Sequence, residues 1–142
     1  MHPLDAPSIP THRSRGRAEA VTIIYVLLVA HFVGDFLCQT DWMALNKSKR
    51  LDALALHVGV YIGVVAFIYF LFLKQILFTD AADGWAFIAV NAVAHFVQDA
   101  ITSRINARLW QANQRHWFFV GIGADQLLHY VTLFVTAGWW LQ

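Results

Sequence analysis

The sequence predicts an all-α integral membrane protein, folded as a four-helix bundle, on three observations. First, 58% of its 142 residues are hydrophobic and 13% charged, against about 45–50% and about 25% in soluble domains. A globule of this size buries only about 70% of the surface its unfolded chain exposes, so the apolar surplus has to face lipid. Second, the chain holds four apolar runs of the length, about 20 residues, that a helix needs to cross the hydrocarbon core. Third, Trp42, Trp85, Trp110, Trp117, Trp139 and Trp140 fall at or near the ends of these runs, where amphipathic rings sit at headgroup level.

Residues 1–17 carry Pro3, Pro7, Pro10, Arg13, Arg15 and Arg17, a composition with too little apolar surface to order itself, and are expected to form a flexible polar tail. Residues 18–142 are expected to form a single transmembrane domain. Its first run, 18–39, continues past Ala30, the one plausible cleavage position, and places Leu28 where a signal peptidase wants a small side chain. It is therefore read as a retained helix. The runs 53–73, 84–103 and 117–141 follow, none containing proline. The connections are polar, and the third, 104–116, could prolong the third helix or lie along the interface. Six of the ten Lys and Arg side chains lie in the connections 40–52 and 104–116, which assigns those loops to the cytoplasm. A net charge of +1 excludes the basic field that nucleic-acid binding needs. The single cysteine, Cys38, excludes an intrachain disulfide and any Cys-based metal cluster.

Polar side chains inside the runs carry the functional reading. An intramembrane acid costs about 2.5–3.5 kcal/mol on insertion scales, yet the runs contain His31, Asp35, His57, His95, Asp99, Asp125 and His129. His31/Asp35, His95/Asp99 and Asp125/His129 are each four apart, so each pair forms one polar spot on a helix face. At ~1.5 Å per residue, threading the helices up and down brings all seven into the same half of the bilayer. Asp125 precedes His129, reversing the order of the other pairs, as a helix running the other way requires. His31-Phe-Val-Gly-Asp35 and His95-Phe-Val-Gln-Asp99 also form an internal repeat at four of five positions, consistent with a parallel repeat of the first and third helices.

Imidazoles and carboxylates are donors that Zn²⁺, Fe²⁺ and Mn²⁺ accept, and helix bundles build dinuclear centres from facing side chains. The expected ligands are His31, Asp35, His57, His95, Asp99, Asp125 and His129, holding one or two divalent ions. Asp35, Asp99 and Asp125 are also the candidate catalytic carboxylates: whichever stays unligated would serve as general base. A bis-histidine haem and a metal-free proton relay are the lesser alternatives. Gly59-x-x-x-Gly63 reads as a helix contact, Gly34, Gly121 and Gly123 as places where backbones approach the site, and Gln39 and Gln126 as donors supporting the ligands or as interfacially solvated side chains. Asn46 and Lys47 lie over the centre, as headgroup contacts or as a solvated loop.

These residues, in order, are His31-Phe-Val-Gly-Asp35 with Gln39, Asn46-Lys47-Ser48-Lys49, Leu54-Ala-Leu-His57, His95-Phe-Val-Gln-Asp99 and Asp125-Gln126-Leu-Leu-His129. From about Val21 onward the chain resembles a bacterial and phage family of small integral membrane proteins of unknown function. More loosely, the repeated His-x-x-x-Asp is similar to that of prokaryotic membrane-bound metal-dependent hydrolases. The resemblance implies a multi-pass protein of a prokaryotic inner (plasma) membrane. The expected function is a metal-dependent hydrolase acting on a lipid-linked or phosphate-bearing substrate, with the bilayer as its surroundings. The rivals are a metal-ion or proton transporter or channel, which with so few spans would work as a homo-oligomer, and a non-catalytic membrane subunit of a larger complex.

Overall fold

The computed structural model describes residues 12–74, 76 and 80–139, and among them every element is helical. Helix α1, His12–Phe32, continues into a π-helical turn, Val33–Leu37. A short helix α2, Asp41–Asn46, leads to α3, Leu51–Ile68, which also ends in a π-helical turn, Tyr69–Leu73. Two long helices complete the chain: α4, Ala81–Gln111, and α5, Arg115–Trp139. Residues 1–11 of the expected tail and 140–142 of the last expected helix lie outside the described residues.

Helix α1 starts at His12, ahead of the expected 18. The 40–52 connection is not plain loop: Thr40 caps α2 by accepting a hydrogen bond from the Met43 amide, and Met43 is buried. Helix α4 runs through Gln111 because 104–111 contains no glycine or proline to stop it. Its end is set by Asn113, which takes the left-handed conformation at φ 57°. The Gln114 amide then bonds Leu109 O at 2.9 Å and the Asn113 amide bonds Trp110 O at 3.1 Å, a Schellman closure. That tight hairpin lays α5 directly against α4.

Three stretches, Gly16–Leu37, Leu51–Leu73 and Arg115–Trp139, are long and apolar enough to cross a membrane. Helix α4 is not among them: Asn91, His95, Gln98 and Asp99 lower its hydropathy in the stretch where the sequence predicted a fourth span. Tyr61 and Val65 on the buried face of α3, and Tyr69 at the start of its π-turn, meet Leu27 of α1, Phe87 of α4 and Leu133 of α5 in one apolar core. Large apolar side chains including Tyr25, Phe67, Val93 and Leu127 point outward, as lipid-facing surfaces do.

Gly34 permits a close approach to the backbone of α3. A Cβ there would lie 3.0 Å from the Tyr61 ring and 3.3 Å from the Tyr61 backbone, so its absence lets the first π-turn sit on α3. Gly121 fits beneath the Asn106 side chain, whereas Gly123 faces open space. Gly59 and Gly63 meet nothing within 4 Å. Among the described residues the expected helix contact is therefore not made, because both lie on the outer face of α3, away from Tyr61.

Candidate metal centre

The π-turn, α3 and α4 deliver four buried donors to one point. The π-turn inserts an extra residue into the helical repeat, with the Cys38 amide reaching Val33 O at 2.9 Å, and such bulges often mark functional positions. It carries Asp35 toward α3. There His57 Nε2 lies 3.0 Å from Asp35 Oδ1 and 3.0 Å from Asp99 Oδ2. His95 Nε2 is 3.2 Å from His57 Nε2, 3.5 Å from Asp35 Oδ1 and 3.7 Å from Asp99 Oδ2. The five separations average about 3.3 Å, and donors ~2.0–2.1 Å from a tetrahedral zinc ion would be ~3.3 Å apart. The donor set fits a divalent cation.

Asp99 faces two ways. Its Oδ2 belongs to the group just described, while its Oδ1 looks toward His129 Nε2 at 3.8 Å. Asp99, Asp125 and His129 form a second set of potential ligands. His129 donates from Nδ1 to the Asp125 carbonyl at 2.8 Å, which fixes its tautomer and leaves the Nε2 lone pair available. That Nε2 is buried without a hydrogen-bond partner, as are Asp35 Oδ1 and Asp125 Oδ1. Asp99 thus has the arrangement of a carboxylate bridging two cation sites.

His31 stands beside these groups rather than within them. Its Nε2 donates to Gln126 Oε1 at 2.9 Å, so its Nδ1 must accept from the Tyr61 hydroxyl at 3.3 Å. The Gln126 amide in turn donates to Asp35 Oδ2 at 2.9 Å and to Asp125 Oδ2 at 3.3 Å. A Tyr61–His31–Gln126 chain thereby orients two acids. Of the seven expected ligands, six fall into the two cation-competent groups and His31 supports them from behind.

Two participants were not assigned to the centre from sequence. Lys47, at the end of α2, brings its ammonium 2.8 Å from Asp99 Oδ2 and 3.4 Å from His57 Nε2, whereas a solvated loop was one expectation for it. Tyr61 stacks on His95 with ring centroids 3.8 Å apart; its spacing of four from His57, on the same face of α3, was the available signal. Three carboxylates against one ammonium leave the cluster two negative charges in excess, and each uncompensated buried ion costs several kcal/mol. One divalent cation held there would cancel that excess.

A family described as "Protein of unknown function (DUF3307)" matches residues 23–142. The chain belongs to the DUF3307 family. No curated protein and no solved structure matches it. The DUF3307 region contains every residue of the cluster and of its supporting hydrogen bonds; the described residues outside it are the opening turns of α1.

Proposed function

We propose that this DUF3307 protein is an integral membrane metal-dependent hydrolase acting on a lipid-linked or phosphate-bearing substrate, with α4 as the fourth span of its bundle. The observation that carries the reading is the Asp35–His57–His95–Asp99 quartet, four buried donors from three helical segments at the separations of a tetrahedral ligand set. Zinc, iron or manganese suits such donors, and Asp99 as a bridge argues for two ions. A divalent cation held there supplies Lewis acidity toward a phosphoryl or carbonyl oxygen.

The chain's own residues do the rest. Asp125 is the least buried of the three acids, lines an adjoining cavity and is held by the Gln126 amide. Where a single ion fills the Asp35–His57–His95–Asp99 quartet, Asp125 stays unligated and is the carboxylate suited to take a proton from an attacking water. Lys47 reaches the same cavity and can pair with an anionic substrate oxygen. On the other side of the cluster lie Val65, Tyr69, Leu73 and Phe87, all buried. Among the described residues the buried polar pair there, Asn91 and Thr136, bond to each other, so this floor is mostly apolar, which favours hydrolysis over transport. The setting we infer is a prokaryotic inner membrane.

The test is to incubate metal-loaded protein with a phosphorus-labelled lipid extract and, in parallel, to measure ion flux in liposomes. Metal-dependent hydrolysis products that disappear in Asp125→Asn are expected. Cation flux with no product formed would replace the hydrolase by a transporter.

A further inference from the structure

A cavity of about 630 Å³ opens from the cluster between the π-turn, α2, α4 and α5, within the range of small-molecule sites, about 300–1,000 Å³. Its two long walls differ in chemistry. Along α4 it is lined by Asp99, Thr102, Ser103, Asn106 and Trp110, one helical face about 17 Å long at ~1.5 Å per residue. The π-turn, α2 and α5 add the apolar side chains Phe36, Leu45, Phe118, Phe119 and Ile122, with Phe118 packed on Trp110. Leu45 and Phe119 are largely exposed, so the apolar wall is continuous with the lipid-facing surface. Within the cavity, Ser103 Oγ and Gln39 Oε1 are buried with no hydrogen-bond partner, and such atoms call for one from a ligand.

Charge selects the sign of that ligand. Asp35, Asp99 and Asp125 share the lining with Lys47 and Lys49, one negative charge in excess; two divalent cations at the floor would reverse this to three positive. The geometry points to a seat for an anionic amphiphile, a phosphate ester of a long-chain alcohol, that enters sideways from the bilayer. Its phosphate lies over the cluster within reach of Lys47 and Lys49, taking a hydrogen bond from Ser103. Its chain leaves along Phe118, Phe119 and Ile122. This inference rests on the metal-centre reading for the charge at the floor, but the shape and the two-faced lining stand apart from it.

The experiment is photolabelling of the full chain in a neutral detergent with a diazirine-bearing dodecyl phosphate, mapped by peptide mass spectrometry, with bound metal counted on the same samples. Expected is labelling concentrated on 118–122 and around Phe36, displaced by dodecyl phosphate but not by dodecanol or inorganic phosphate, and reduced at least tenfold by chelation. Lys49→Gln and Phe119→Ser alter exposed positions and should each weaken it severalfold without unfolding the protein. Label spread evenly over the exposed apolar face of a metal-loaded protein would overturn the seat and leave the metal centre intact. Groove labelling in a protein that takes up no metal would support the seat and overturn the metal centre.

Discussion

Replacing Gln126 by leucine keeps the side chain's bulk and removes three hydrogen bonds: to His31 at 2.9 Å, to Asp35 at 2.9 Å and to Asp125 at 3.3 Å. None of the ligand atoms is deleted. Groups that orient metal ligands are typically worth 10–100-fold in affinity, so the variant should bind metal about 10–100-fold more weakly. Linkage converts this into stability. At a free metal concentration of about 1,000 Kd the wild type gains about 4.1 kcal/mol, whereas the variant, at about 10–100 Kd, gains about 1.4–2.7 kcal/mol. A further cost of about 1–3 kcal/mol falls on the metal-free variant, where the His31 N–H is left buried without a partner. Competition against a chromophoric chelator gives the affinity, and denaturation with and without metal gives the stabilities. Wild-type affinity in a folded Gln126→Leu protein would refute the claim that this amide orients the two acids.

Asp99→Asn should lower metal content to less than half the wild-type value by mass spectrometry, since it withdraws a donor from both groups; retention of full occupancy would remove the bridging assignment. Gly34→Ala should destabilise the protein by about 1–3 kcal/mol through overpacking against Tyr61, which stands 3.0 Å from the new Cβ, and should weaken metal binding as Asp35 is pushed away; thermal unfolding with metal titration would read both. Asn113→Val forces a β-branched residue into φ 57° and should cost about 1–3 kcal/mol with unaltered metal affinity, a control separating fold from site.

Much of the site is legible because a membrane makes polar residues conspicuous: seven ionisable side chains in apolar runs had no reason to be there unless they met. Their i,i+4 spacing and the reversed order of Asp125 and His129 follow from helix geometry alone, and six of the seven meet in the two cation-competent groups. The separate part played by His31 was not readable. It depends on which neighbours, Tyr61 and Gln126, fill its two nitrogens, and those come from other helices. Nor does any composition signal announce the π-turn at Val33–Leu37, since one extra residue in a helical repeat leaves the apolar pattern almost unchanged. Lys47 reads from sequence as lying over the centre, in contact with a headgroup or solvated; its ion pair with Asp99 depends on α2 folding its stem inward. The length of α4 was left open by the sequence, and it was decided by Asn113, a single residue able to take a left-handed conformation.

The central claim is that buried imidazoles and carboxylates from separate helices hold divalent cations, and bound metal per chain measures it most directly. Protein purified in detergent and equilibrated with zinc, iron or manganese should carry close to two ions per chain, falling sharply in His57→Ala and Asp99→Asn. Wild-type protein that remains folded and carries only trace metal after each of these treatments would contradict the account.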